Sequence, residues 1–246
     1  MRALCVALVA SSLVASLVQA YAPEDSFDLP APAAGVPLRL SATYYHVHSA
    51  RESAGGVPLV DLQRRPISAP LAPIDWCRGA RQGTIRVLGA DGAARVYGLA
   101  GTATEMLVDC SALVRDYGAW VAGLGRNRFQ PSRGAYGVGE SGAHLVPFRT
   151  VAVDKRAIAY RSVLYIPAAR GVPITLPSGR SARHDGFFFA ADTGPSLQSA
   201  QIDVFLGVSS TNPFGFIGSN AARSFEAYLI PEPAIAARLA QVHSLR

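Results

Sequence analysis

Lysine is nearly missing from this chain of 246 residues. Lys155 stands alone, so arginine supplies nearly all of the 23 basic residues, set against 17 acidic ones. The net charge of +6 falls to about +5 once Arg2, in the N-terminal leader, is set aside. That mild excess favours an anionic partner such as a wall polymer or a membrane surface. No basic run with interleaved aromatics is present, which sets nucleic acid aside. Charge of either sign is scarce, 16% of residues against 50% apolar, so the chain does not belong to the disordered class. No apolar run reaches the roughly 20 residues of a membrane-spanning helix, so no transmembrane segment is expected. Cys-x-x-Cys pairs are absent, and His46-x-His48, which puts two imidazoles on one face of a strand, has no third ligand in range. No metal site is therefore expected. A phosphate-cradling glycine motif is lacking as well, and no cofactor is expected. Gly139-Glu140-Ser141-Gly142 is not a Gly-x-Ser-x-Gly elbow and precedes no helical pattern, which argues against a serine hydrolase.

What is present begins with a leader. Met1-Arg2 is a short positive region, residues 3–18 are apolar, and Val18-Gln19-Ala20 supplies small residues around a cut after Ala20. This is the pattern of a secretory signal peptide, and it predicts a secreted or periplasmic protein. Cys77 and Cys110 remain beyond it. An even pair in an oxidising compartment reads as one disulfide, with two buried thiols as the alternative. Residues 21–37 are rich in proline and alanine and read as an extended lead-in. Residues 38–230 read as one β domain, and 231–246 as a helix packed on it, opened by Pro231-Glu232-Pro233 with Ile235, Leu239, Val242 and Leu245 at helical spacing.

Inside the domain, 38–47 (LRLSATYYHV) is a long β-type run, with 57–63 (VPLVDLQ) as its expected partner. A short helix is expected over 71–80. TIRVLG and ARVYGL flank an Asp91-Gly92 turn and predict a hairpin. Residues 123–142, glycine-rich with Arg126, Arg128 and Arg133, read as a long surface loop. From Thr150 on, short strands follow quickly: TVAVD, SVLYIP, VPITL, GFFFAAD, IDVFLG and SFEAYLI. Many short strands with little helical periodicity predict an all-β barrel or sandwich.

Three carboxylates interrupt the most strand-like stretch: Asp185, Asp192 and Asp203. Asp192 precedes Thr193-Gly194 and Asp185 lies between His184 and Gly186, so both are also natural turn residues. Asp203 is different because it sits inside an apolar strand. Period-two alternation places it with Phe205 on the face opposite Ile202 and Val204. Burial and a neighbouring carboxylate would both raise its pKa, as a general acid requires.

The span 145–207, from LVPFRTVAVD through VLYIPAARG to HDGFFFAADTG and IDVFLG, resembles the three-aspartate (3D) domain of bacterial cell-wall lytic enzymes. Membrane-bound lytic transglycosylase A is a member of that group. The offset of 11 residues from Asp192 to Asp203 is the family's, and ATYY (42–45) and PIDWCRGARQGTIR (73–86) resemble its N-terminal half. The resemblance implies a double-psi β-barrel with a six-stranded core, extra strands and a short C-terminal helix. It implies a lytic transglycosylase acting on peptidoglycan glycan strands, with Asp203 as the acid, Asp192 orienting it and holding its pKa up, and Asp185 in support. Tyr44, Tyr45 and Phe188 are expected to line the sugar cleft, and a monomer is expected. Where the family reads Asp-x-Gly-Gly-x-Ile-Lys-Gly, this chain has Pro195, Gln198 and Ser199 in place of the second glycine, the lysine and the last glycine. A non-catalytic glycan-binding barrel is therefore the alternative reading.

Overall fold

The computed structural model describes residues 24–115, 118–194 and 196–244. The expected leader (1–20), Pro195 and Leu245 lie outside them. The strands in chain order are β1 (Val36–Tyr45), β2 (His48–Val57), β3 (Thr84–Leu88), β4 (Ala94–Thr102), β5 (Asn127–Pro131) and β6 (Thr150–Val153). They continue with β7 (Val163–Tyr165), β8 (Pro173–Thr175), β9 (Ser181–Arg183), β10 (Phe187–Asp192), β11 (Gln201–Phe205) and β12 (Phe225–Ile230). The α-helices are α1 (Pro73–Gln82) and α2 (Pro233–Val242).

Six strands close into a barrel in the order β1-β11-β6-β10-β7-β12, with β1/β11 and β6/β10 parallel and the other pairs antiparallel. The expected barrel of six strands is thus present. Its interior is filled by alternate residues, among them Leu40, Ala42, Val151, Val153, Phe188, Ala190, Ile202 and Val204. The run Phe187-Phe188-Phe189 is apolar throughout because both faces of β10 are covered. Phe188 points into the barrel, while Phe187 and Phe189 pack outside it with Ile235 and Leu239 of α2.

The stretch between β1 and β6 builds a second core. The sheet β2-β3-β4-β5 packs with α1 around Trp76, Ile85, Val87 and Phe129. Cys77 and Cys110 are joined by a disulfide in this core, both fully buried. The helix α1 starts on Pro73 and stops at Gly83, whose φ of 78° suits glycine and whose N–H donates to the Gly79 carbonyl. Gly79 itself permits close packing, since a Cβ there would lie 2.3 Å from Ile85 Cγ1. The hairpin of β3 and β4 forms as expected, in antiparallel register.

Two expectations fail. The partner of β1 is not 57–63, because both edges of β1 are already taken by β11 and β12 in the closed barrel. Residues 123–142 are not one surface loop: a 3-10 segment, Ala119–Arg126, leads into β5, where Arg128 and Phe129 are fully buried. Arg128 is tolerated there because its guanidinium donates to the carbonyls of Glu105, Arg126 and Asn127. Among the described residues no helix is long and apolar enough to cross a membrane.

Candidate functional site

Strand β6 lies between β10 and β11, and Ala152 is in register with Asp192 on one side and Asp203 on the other. Residues level across a sheet project to the same face, so both carboxylates stand on the outer barrel wall with only a methyl group between them. Two strand spacings separate their Cα atoms by roughly 10 Å. The alignment depends on a register shift between Ala190 and Asp192. Unbroken alternation from Phe188 would turn Asp192 inward. The bulge at Ala191 turns it to the face of Asp203, a common use of bulges beside functional sites.

Thr43 on β1 is level with Asp203 and donates its hydroxyl to Asp203 Oδ1. Two residues on, Tyr45 shares that face; its hydroxyl donates to Asp192 Oδ2 (2.9 Å) and its ring packs on Phe205, 5.0 Å between centroids. The backbone N–H groups of Glu140 and Thr193 also donate to Asp192 (3.0 and 2.9 Å). The loop around Gly139 can lie this close because Gly139 has no side chain: a Cβ would sit 2.4 Å from the Ala191 carbonyl oxygen. Ser141 Oγ completes the clasp by donating to that same oxygen (2.6 Å).

Burial raises the Asp203 pKa above the usual carboxylate range, against the opposing pull of the Thr43 hydrogen bond. The neighbouring carboxylate, expected to share in that shift, is not among its causes. Burial also raises Asp192, overcoming its three donors, with Glu140 adding in the same direction. The Tyr45 phenol is held well above its usual pKa by burial, then by the charge and hydrogen bond of Asp192 and by the charge of Asp203. A cavity of about 340 Å³, lined by residues that include Thr43, Tyr44, His46, Arg81 and Gln82, holds neither carboxylate but reaches Thr43, the partner of Asp203. Burial and the nearby His48 and Arg81 push the His46 imidazole down to about 4, so it is neutral there. A larger cavity of about 620 Å³ between the lead-in and α2 contains neither carboxylate.

The structure thus brings Asp192, Asp203 and Tyr45 together. Tyr44, opposite Val204 in register, turns to the other face of β1, where it is exposed and lines the adjoining cavity. Phe188 corrects the expectation: it is fully buried in the barrel core against His184 and Phe214 and cannot line a cleft. Asp185 sits before the start of β10, at the end away from Asp192, held by Arg149 (2.7 and 2.9 Å). Burial pushes its pKa up, but the hydrogen bonds and charge of Arg149 outweigh that and hold the carboxyl low. Among the described residues no group of three His, Cys, Asp or Glu could hold a metal ion. His48 bonds Asp75 (2.9 Å) instead. Thr43 and the Glu140 N–H were not foreseen. The first was accessible, since alternation from Tyr45 places Thr43 on the same face.

Residues 149–217, which carry Arg149, all three aspartates and the strands between, match the family model described as "3D domain". A comparison with curated proteins finds no match. Among solved structures, the chain is similar to E. coli MltA with bound chitohexaose, at 16% identity over 78% of this chain and 71% of that one, with a TM-score of 0.53. It is also similar to a membrane-bound lytic murein transglycosylase from Agrobacterium tumefaciens, at 17% identity over 83% and 78%, with a TM-score of 0.49. At such identities the likeness to MltA is one of fold. The matched residues hold four of the six barrel strands, β6, β7, β10 and β11, and supply the site only in part, because Thr43 and Tyr45 reach it from β1.

Proposed function

We propose that the protein is a peptidoglycan lytic transglycosylase, acting in the periplasm or outside the cell, with Asp203 as its acid. The observation that carries this reading is a carboxyl raised by burial and hydrogen-bonded by Thr43, a residue that itself lines an open cavity. A protonated Asp203 would donate to the oxygen linking N-acetylmuramic acid to N-acetylglucosamine as an oxocarbenium-like transition state forms. The resulting carboxylate would take the proton from the muramic acid C6 hydroxyl, whose oxygen attacks C1 and closes a 1,6-anhydro ring. One carboxyl serves both steps, so no carboxylate is needed to activate water. Asp192 acts through Tyr45 and the 139–142 loop, fixing the wall on which Asp203 stands. Tyr45 stands beside the sugar on the wall of Asp203, Tyr44 lines the adjoining cavity with Arg81 and Gln82, and Asp185 is structural.

The test is incubation of the mature protein with purified sacculi and mass spectrometry of the released fragments. Anhydro-muropeptides are expected from the wild type, and about 10²–10⁴-fold less from Asp203→Asn. Reducing muramic acid ends would instead indicate a hydrolase. One observation favours a non-catalytic wall-binding barrel: Ser199 stands at φ 53°, a glycine-favoured conformation, in the loop between the two aspartates. Binding to sacculi with no release at any pH would decide for that second reading.

A further inference from the structure

Arg86 lies on the face of β3 opposite Ile85 and Val87, which are buried in the second core. It is half-buried, and among the described residues it has no hydrogen-bond or ion-pair partner. A cavity of about 480 Å³ opens over it, lined also by Tyr97, Ser132, Tyr136 and Val208. The other guanidinium on that wall, Arg95, is paired with Asp91 (2.7 Å). Taking a cation partly out of water without a counter-charge is unfavourable. Among the described residues Arg86 has none.

The cavity is joined to the wall that carries the carboxylates through a buried aromatic cluster that includes Phe205 and Tyr136. Phe205 stands two residues beyond Asp203 on the same face of β11, about 7 Å along the strand. Its ring meets Tyr136 at 6.1 Å between centroids, and Tyr136 lines the cavity. A sugar bound at Asp203 and Tyr45 is thus separated from Arg86 by that aromatic cluster, a gap that a substituent borne by the glycan would have to span. Sugar rings and hydroxyls need no cation. A carboxylate does, and guanidinium is the side chain that binds it in two parallel hydrogen bonds.

We infer that Arg86 is the anion-recognising residue of this cleft, taking a carboxylate of the peptide substituent borne by the glycan and so distinguishing peptidoglycan from a neutral polymer of N-acetylglucosamine. The inference rests on the glycan reading above but not on turnover. The aromatic walls Tyr97 and Tyr136 hold the less polar part of that substituent.

The experiment measures binding by calorimetry to three probes: a disaccharide-tetrapeptide muropeptide, the same compound with its carboxylates amidated, and chitohexaose. Wild type should bind the first about tenfold more tightly than the second, with the difference shrinking as salt rises. Arg86→Gln should bring the first two within about twofold of each other, leave chitohexaose binding unchanged, and shift Tm by no more than about 1 °C, because no partner is lost. Arg86→Lys should retain part of the discrimination. An unchanged preference in Arg86→Gln, or equal loss on all three probes, overturns the assignment. If wild type binds none of them, the glycan reading falls and this inference with it, whereas binding without cleavage defeats only the catalytic claim.

Discussion

Replacing Arg149 by methionine should destabilise the protein more at neutral than at acidic pH. The guanidinium is fully buried and serves two buried carboxylates at once. Nε donates to Asp25 (2.7 Å), Nη1 and Nη2 to Asp185 (2.7 and 2.9 Å), and Nη1 also to the Phe187 carbonyl. The Asp25 and Asp185 side chains are 3% and 2% exposed. Methionine leaves Asp185 without a counter-charge and Asp25 with only the more distant Arg238 (3.8 Å), and breaking such a buried pair costs about 3–5 kcal/mol. For a protein of this size that is a fall in Tm of about 6–20 °C. In the wild type the Asp185 pKa is depressed, so its stabilisation is present above the unfolded value of about 3.9 and is lost as pH falls through the folded value. In the variant burial outweighs the remaining Phe187 N–H hydrogen bond, the pKa rises, and the penalty is relieved as pH falls toward about 4. Thermal unfolding followed by circular dichroism at pH 7.5 and 4.5 should therefore show the gap between the two proteins narrowing. A fall of less than about 3 °C at pH 7.5, or a gap that does not change with pH, would refute the reasoning.

Thr43→Val should move the alkaline limb of the activity profile upward, because the lost hydrogen bond was lowering the Asp203 pKa; kcat/KM at the optimum should fall about tenfold, or ~1.4 kcal/mol. Asp203→Asn should unfold at a higher temperature than wild type at pH 7.5. A folded pKa above the unfolded one means that the acid's stabilising effect is present at low pH and lost as pH rises through the folded value. The advantage of the asparagine should thus vanish below about pH 4. Removing the disulfide by Cys77→Ser and Cys110→Ser should cost about 3.7 kcal/mol for a loop spanning 33 residues, read as a shift in the urea midpoint.

The strands of the C-terminal half were legible because each carries its own punctuation. Period-two alternation in IDVFLG and the Asp-Thr-Gly end of GFFFAAD locate β11 and β10 without reference to anything distant. The helix α2 and the cysteine pair were readable for similar local reasons. Register was not. That Ala152 separates the two carboxylates depends on three strands and a bulge, and no local signal marks the bulge in Phe-Phe-Phe-Ala-Ala-Asp. Phe188 was misplaced for that reason: its sequence neighbours are compatible with either face. Arg149 was hidden differently, since its partners lie 124 residues before and 36 after it. Arg128 misled through composition, because a glycine- and arginine-rich stretch looks solvated until its carbonyl acceptors are seen.

The closure of the barrel by β1 also sets an order of assembly. The strand bearing Thr43 and Tyr45 is the first to be synthesised, yet its two neighbours, β11 and β12, are among the last. The residue that bonds Asp203 is 160 positions from it in the chain. Loop closure over such a distance is slow. The α1 sheet core, whose contacts are far more local, can condense while β1 still waits. Assembly of the paired carboxylates with Thr43 and Tyr45 would then be the final event of folding, and removing β12 would abolish the site while leaving every one of its residues in the chain.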